Sequence, residues 1–258
     1  MTSLRVLLTN DDGYLADGLR LLATEIAEWA EVWVVTPDRE RSGSGRSITL
    51  YQPLRLTRLD PAPAPGRWHL ANGTPADCVN LALHYLLPEQ PPDLVVSGIN
   101  HGLNLGDDVN YSGTVQAACE AHHFAVPAVA LSQELGGRSM AESAQLCSKL
   151  LRAVMERGCP RRLLLSVNVP AGPLLGIRLT RLGRRVYRDV VVAKTDPRGV
   201  AYYWLGGKPQ WEDDPGTDQE AVLSGYASVT PLRTASTDVE SLPELEAMVA
   251  DAWSPLLR

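Results

Sequence analysis

Short apolar runs alternate with longer segments of helical spacing over most of the chain. The runs typical of buried strands span residues 6–8, 32–35, 93–97, 128–131 and 163–167. Between them lie segments with apolar residues every three or four positions, such as Leu19, Leu22, Ile26 and Trp29, where Asp17 is a plausible helix cap. This alternation predicts an α/β fold with a doubly wound, mostly parallel sheet and Rossmann-type layering.

Further helices are predicted at residues 74–87, 112–121 and 139–156. The first has a clear start signal, because Thr74 is a good cap, Pro75 suits the first turn and Asp77 is an acid at the third position. Residues 48–56 and 68–70 could pair as strands across the turn-forming stretch 60–66.

The pattern changes after Pro170. Residues 186–193 and 200–205 flank a Thr-Asp-Pro-Arg-Gly turn and predict a β-hairpin extension with aromatic arms. A lone hairpin is marginal in water, so it needs a partner, either its own domain or another subunit. A C-terminal helix is indicated by Leu242, Leu245, Met248 and Val249. We therefore expect a single domain over 1–258, with a catalytic core at 1–175, an oligomerisation extension at 176–240 and a final helix at 241–258.

Oxygen-rich loops follow several predicted strands. Asn10, Asp11 and Asp12 follow the first strand, a loop with Ser42 and Gly43 follows the second, and Asn100 lies in a later loop. Strand ends of a parallel sheet converge on one crevice, so these donors can meet there. The set is oxygen-only and suits Mg²⁺, Mn²⁺ or Ca²⁺ better than zinc. A plain surface turn is the alternative, since Asn, Asp and Gly also form turns.

The segment Ser112-Gly113-Thr114 opens a predicted helix. Its backbone N–H groups, the helix dipole and two hydroxyls favour an anion such as phosphate. An ordinary helix cap is the alternative, since Ser and Thr are common at that position. His101 could contact substrate or belong to the scaffold. Asp107 and Asp108 are interpreted as a solvated acidic pair or as caps.

Charge and composition reduce the range of partners and locations to be expected. The chain of 258 residues has a formal net charge of −6 and no basic run, so a nucleic-acid polymer is not expected as a partner. No apolar stretch approaches a membrane span, and Asp11 and Asp12 interrupt the first apolar run too early for a signal peptide. The chain has four cysteines and no CxxC pair, and Cys119 and Cys147 are expected to be buried. A reduced, cytoplasmic location is therefore expected.

Five segments together resemble the SurE survival-protein family. They are TNDDG at 9–13, PDRERSGSGRSIT at 37–49, NGTPADCV at 72–79, VSGINHGLNLGDDVNYSGTVQAA at 96–118 and GYASVTPL at 225–232. The resemblance covers most of the chain. It implies a SurE-like fold, a hairpin extension exchanged between subunits, and a homodimer or homotetramer.

The resemblance also implies a metal-dependent phosphatase, a 5′-nucleotidase of acid-phosphatase type. Its substrates would be nucleoside 5′- and 3′-monophosphates and, for some members, short polyphosphate. It implies one divalent cation per subunit, Mg²⁺ or Mn²⁺, on Asp11, Asp12, Ser42 and Asn100, with Asp11 and Asp12 also catalytic. The residues expected to contact the phosphate group or the rest of the substrate are Asn10, Gly43, Asn104, Ser112, Gly113 and Thr114.

Two other functions stay open from the sequence. A nucleotide-binding regulator could use the same fold without catalysis. A phospho-aspartate phosphatase is the second, although such an enzyme usually has two acids separated by one residue, and here they are adjacent.

Overall fold

A computed structural model describes residues 4–188, 191–205, 208–211, 214–234 and 243. Its strands are β1 (Arg5–Thr9), β2 (Glu31–Pro37), β3 (Leu56–Arg58), β4 (Arg67–Ala71), β5 (Leu94–His101), β6 (Ala128–Gln133), β7 (Leu164–Val169), β8 (Gly176–Leu179), β9 (Arg185–Arg188), β10 (Val191–Thr195), β11 (Ala201–Leu205), β12 (Lys208–Trp211) and β13 (Tyr226–Pro231). Its helices are α1 (Asp17–Ala27), α2 (Pro75–Leu81), α3 (Gly113–His123), α4 (Met140–Glu156) and α5 (Asp218–Leu223). A π-helical turn, Ala82–Leu86, continues α2, and a 3₁₀ helix, Gly106–Asn110, precedes α3.

Nine strands form one sheet in the order β3-β4-β2-β1-β5-β6-β7-β13-β8. The six strands from β4 to β7 in that order run parallel, which confirms the predicted mostly parallel α/β fold. The chain first adds strands on one side of β1, up to β4, and then places β5 on the other side of β1 and adds β6 and β7 beyond it. The order therefore reverses between β1 and β5, where open α/β sheets form their ligand crevice.

The sheet is buried on both faces. Successive residues of β1 alternate between the faces, so Leu8 joins one apolar cluster while Leu7 joins the other. α1 and α4 cover the first face with residues such as Leu22 and Leu151. α2 and α3 cover the second with residues such as Val115. This double covering explains why the core strands are continuous apolar runs.

The helix starts follow the local sequence at most sites. Thr74 and Ser139 each form a capping box with the acid three residues later, and Ser112 caps α3 by accepting a bond from the Val115 N–H. The expectation that Asp17 caps α1 was wrong. Ala16 is the N-cap and makes no side-chain bond, and Asp17 is the first helical residue, where its charge suits the helix dipole.

The strand predicted over 48–56 was wrong for almost its whole length. The strand begins at Leu56 and pairs antiparallel with β4. Before that point side chains take the backbone bonds that a strand would use: Asp77 accepts from the Thr49 N–H at 2.9 Å, and Asn72 accepts from the Arg55 N–H at 2.7 Å. β5 is also longer than predicted, since it continues past Ser97 to His101.

The predicted hairpin is present. β10 pairs antiparallel with β11, and β9 with β12, in one common register. We call residues 185–211 the arm. Within the predicted extension at 176–240, β8 and β13 belong to the main sheet, where β13 pairs with β7 and with β8. The predicted helix at 241–258 lies outside the described residues, apart from Pro243.

Within the described residues, no helix is both long enough and apolar enough to cross a membrane. The four helices α1 to α4 instead cover the two faces of the sheet.

Candidate active site

A pocket of about 460 Å³ lies at the reversal between β1 and β5. Four segments line it: the turn after β1, the loop after β2, the end of β5 with the loop that follows, and the start of α3. The lining residues are Asp11, Asp12, Glu40, Ser42, Gly43, Asn100, His101, Asn104, Asp108, Tyr111 and Ser112. All four predicted metal ligands therefore lie around one pocket.

Asp11 is almost fully buried, with 4% of its surface exposed. The Thr114 hydroxyl donates a hydrogen bond to its Oδ1. Burial raises the pKa of Asp11, the Thr114 hydrogen bond opposes that shift, and the neighbouring charge of Asp12 adds to it. Such a carboxylate is stabilised by any positive charge that enters the pocket.

Asp12 is more open to the pocket than Asp11. Its Oδ2 accepts a hydrogen bond from the backbone N–H of His101 at 3.3 Å. Burial raises the pKa of Asp12, this hydrogen bond and the His101 charge lower it, and the charge of Glu40 raises it. The two adjacent acids thus differ in surroundings: Asp11 is held from the protein side, and Asp12 faces the pocket.

The loop of residues 38–47 brings Ser42 and Gly43 to the pocket. The Arg41 N–H donates to the Asp11 carbonyl oxygen at 2.7 Å, and the Gly45 N–H donates to the Tyr111 carbonyl oxygen at 3.1 Å. The Ser42 hydroxyl donates to Glu40 Oε1 at 2.9 Å. These bonds hold the loop against both the β1 turn and the residue before Ser112.

Asn100 and Asn104 are oriented by bonds to the protein. The Asn100 side-chain amide donates to the Gly102 carbonyl oxygen at 3.0 Å, so its Oδ1 is the atom suited to a cation. Asn104 is buried; its side-chain amide donates to Ser132 Oγ at 2.8 Å and its backbone N–H donates to Asn168 Oδ1, also at 2.8 Å. The sheet thereby places Asn104 on the pocket wall.

The start of α3 packs directly on Asp11. A Cβ added to Gly113 would lie 2.8 Å from the Asp11 side chain and 3.0 Å from Ser44 Oγ, so a side chain at this position would displace the carboxylate. Ser112 lines the pocket, whereas Gly113 and the fully buried Thr114 support it from behind. The Thr114 hydroxyl thus contacts Asp11, and its phosphate contact stays a prediction.

Asn10 also differs from expectation. It is fully buried and does not line the pocket. Its Oδ1 accepts from the Thr36 hydroxyl at 2.5 Å and its side-chain amide donates to the Gly13 carbonyl oxygen at 2.9 Å. Asn10 therefore shapes the turn that presents Asp11 and Asp12, and its contact with substrate stays a prediction.

Sequence reasoning did not assign Glu40, Asp108 and Tyr111 to the pocket. Glu40 lies two residues before Ser42 in the same loop, which is the signal that could have found it. Asp108, interpreted as a solvated loop residue or cap, has a side chain that is 18% exposed and forms an ion pair with Arg185. Tyr111 directly precedes Ser112 and lies on the same wall of the pocket. His101, left open by the sequence, lies on the pocket wall.

Comparison with known proteins agrees with the resemblance. The profile of the family described as Survival protein SurE matches residues 6–189. A protein named 5′-nucleotidase SurE from Anaeromyxobacter dehalogenans (strain 2CP-C) is 49% identical over 254 residues, which cover 97% of this chain and 98% of that protein. Another protein of that name, from Pelotomaculum thermopropionicum, is 44% identical over 252 residues, 96% of each chain.

A solved structure is similar as well. The crystal structure of the SurE protein from Aquifex aeolicus superimposes with a TM-score of 0.81 at 38% sequence identity. The similarity covers 95% of this chain and 99% of that one. The likeness therefore extends over the sheet, the pocket and the region beyond residue 189.

Proposed function

The chain belongs to the SurE survival-protein family, and on that basis we propose that it is a metal-dependent phosphatase of nucleoside 5′-monophosphates. The products are the nucleoside and inorganic phosphate. The observation that carries the proposal is the pocket at the sheet reversal, which combines the buried carboxylate of Asp11 and the half-buried carboxylate of Asp12 with the N-terminus of α3. The proposal extends to 3′-monophosphates and short polyphosphate as further substrates.

The charge of the pocket is the reason to include a metal. Asp11, Asp12, Glu40 and Asp108 line it, and among the described lining residues none is Lys or Arg. A phosphate group would be repelled by such a surface, whereas a divalent cation would attract both the carboxylates and the phosphate oxygens. The donor chemistry of the pocket therefore fits a hard cation.

Asp11, Asp12, Ser42 and Asn100 would hold one Mg²⁺ or Mn²⁺ ion per subunit. In the part of the chain that the structure describes, no three His, Cys, Asp or Glu side chains form a metal-binding group, so the hydroxyl and the amide oxygen are needed to complete the set. When bound, the ion supplies positive charge that neutralises a phosphoryl oxygen as the P–O bond breaks.

The protein's own groups bind the phosphoryl group, orient Asp11 and accept a proton. Ser112 and the α3 N-terminus bind the phosphoryl oxygens. Thr114 orients Asp11 through its hydrogen bond. Asp12, which faces the pocket, accepts the proton of the attacking water as the new P–O bond forms and the bond to the nucleoside oxygen breaks. The departing nucleoside oxygen then takes up a proton, which returns Asp12 to the carboxylate form. Gly43 and Asn104 shape the wall on either side.

The deciding experiment is a phosphate-release assay on a panel of nucleoside monophosphates with Mn²⁺, and with EDTA. We expect turnover with Mn²⁺ and none with EDTA. Asp12→Asn should abolish turnover while leaving the fold intact, because it removes charge without changing shape. Asp196→Asn, in the turn of the arm, is the matched control for loss of one carboxylate.

Two results would contradict the proposal. Tight nucleotide binding without turnover at any cation would indicate a nucleotide-binding regulator. A trapped acyl-phosphate on Asp11 or Asp12 would indicate a phospho-aspartate phosphatase.

We also propose that the chain forms a homodimer or homotetramer through the arm. Every residue of β10 and β11 is exposed, including Tyr203 at 65%, Trp204 at 63% and Leu205 at 82%. A surface of this kind on a two-stranded ribbon is typical of a subunit contact. A second copy of the chain is the proposed partner, because exchanged arms bury each other around a two-fold axis.

A further inference from the structure

The loop of residues 102–112, here called the site loop, connects β5 to α3 and carries Asn104, Asp108 and Tyr111 of the pocket wall. The central sheet holds only its first part, through the bonds of Asn104 to Ser132 and Asn168. Its second part is held by bonds from Gly45 to the Tyr111 carbonyl oxygen and from Gln116 to the Val109 carbonyl oxygen, and in addition by two residues from the far end of the chain.

The first of these is Asp218, at the start of α5. It is 1% exposed. Its Oδ2 accepts from the Gly106 N–H at 2.8 Å, and its Oδ1 accepts from the Gly183 N–H at 2.8 Å. Asp218 therefore ties the site loop to the segment that leads into the arm.

The second is Arg185, the first residue of the arm. Its backbone N–H donates to Asp107 Oδ2 at 3.0 Å, and its guanidinium Nη1 donates to Asp108 Oδ2. The side chains of Arg185 and Asp108 are 19% and 18% exposed, so the pair is largely shielded from solvent. The charge of Asp108 on the pocket wall is thus compensated from outside the pocket.

We propose that Arg185 is a positioning residue of the active site, which holds Asp108 and compensates its charge so that an anionic phosphoester can approach. The inference rests on the proposed function. A bound cation would compensate Asp11 and Asp12, but Glu40 and Asp108 line the pocket outside that ligand set. Glu40 accepts a hydrogen bond from the Ser42 hydroxyl, whereas Asp108 is paired with a cation, Arg185. Its carboxylate would repel the phosphate if the guanidinium were lost, because two like charges would then lie close together in the pocket.

The test is a double-mutant cycle measured with Mn²⁺ and a nucleoside 5′-monophosphate. Arg185→Gln should lower kcat/KM by roughly tenfold, mainly through a higher KM, because repulsion opposes binding. In the Asp108→Asn background the same Arg185→Gln change should have less than about a threefold effect. Arg185→Lys, which keeps the charge, should recover most of the loss.

Ionic strength gives a second readout. Added salt should lower the KM of Arg185→Gln towards that of the wild type, since screening weakens the repulsion. Arg198→Gln, in the exposed turn of the arm, removes an equal charge away from the pocket and should match the wild type at every salt concentration.

Three outcomes would overturn the inference: an Arg185→Gln enzyme with unchanged KM, an equal loss with and without the Asp108 carboxylate, or a Lys variant as poor as the Gln variant. If Arg185→Gln does not fold, the comparison of Arg185→Lys with the Arg185→Gln, Asp108→Asn double variant decides. A wild-type protein that does not hydrolyse any nucleotide would instead refute the proposed function.

Discussion

Asp11 shows at the residue scale how the protein prepares its site. Its carboxylate is buried, accepts a hydrogen bond from Thr114 and packs closely against the backbone of Gly113. Its position is therefore determined before any ligand binds. The cost is a raised pKa, which reflects a charge with too little solvation. Two predictions follow from this balance.

Thr114→Val should lower kcat/KM roughly 10- to 150-fold, which corresponds to about 1.5–3 kcal/mol for a hydrogen bond to a charged group. The physical reason is that Asp11 loses its orienting donor while the shape of the site is kept. The measurement is steady-state kinetics with Mn²⁺, and Thr114→Ser, which retains the hydroxyl, is the control. Unchanged kinetics in the Val variant would mean that Asp11 is oriented without Thr114.

Stability should depend on pH and on metal through the same carboxylate. A pKa raised in the folded state above the ordinary 3.8 means that the folded protein binds the proton more tightly. As the pH rises from about 3.8 through the raised pKa of Asp11, the metal-free wild type should therefore lose stability relative to Asp11→Asn. Above that pKa the difference in stability should stay constant up to neutral pH. Thermal unfolding from pH 4 to 7 measures the difference.

Addition of Mn²⁺ should reverse that deficit at pH 7, by about 2.7 kcal/mol at a hundredfold excess over Kd. Asp11→Asn should gain much less. Equal gains in both proteins would place the ion away from Asp11.

At the scale of helices and strands, Asp77 connects the start of α2 to the segment that follows the Ser42 loop. It closes the capping box of α2 with Thr74, and it also accepts from the Thr49 N–H at 2.9 Å and from the Thr49 hydroxyl at 2.6 Å. One side chain thereby starts a helix and keeps residues 48–55 out of the sheet. That segment leads out of the loop that carries Ser42.

Asp77→Ala should destabilise the protein by about 2–4 kcal/mol, because it removes a helix cap and leaves the donors of Thr49 without their acceptor in a partly buried position. It should also lower kcat/KM, since the Ser42 loop loses an anchor. Urea unfolding and kinetics measure the two effects. Glu142→Ala breaks the exposed capping box of α4 and should cost less stability and no activity.

The arm is the feature that matters at the scale of the whole molecule. Replacing residues 191–205 with a short Gly-Ser linker removes its exposed apolar residues but keeps Arg185 at its base. We expect this variant to be a monomer of somewhat less than 28.0 kDa with some phosphatase activity, because the proposed ligands precede the arm. The intact chain should be a dimer or tetramer.

Light scattering at micromolar concentration measures both masses. A monomeric intact chain would show that the arm does not join subunits. An inactive monomeric variant with an intact fold would show that the site needs the second subunit.

The sequence by itself determined the sheet, the layering and most of the pocket. Buried parallel strands are continuous apolar runs, and donors placed at their ends, such as Asp12 and Asn100, must meet because parallel strands end at one edge. The helix starts at Thr74 and Ser139 could also be predicted, because a capping box depends only on residues three positions apart in the sequence.

Only the tertiary structure decided the contacts between distant segments. The sequence predicts that Asn10 and Thr114 contact substrate, but it does not predict their partners within the protein, which are Thr36 and Asp11. β13 joins the sheet although it follows the arm, and Arg185 reaches Asp108 across 77 positions of sequence. Periodicity and capping are local, whereas the partner of a polar group is chosen by packing of the whole chain, because a buried donor or acceptor must find whichever partner the fold brings within reach.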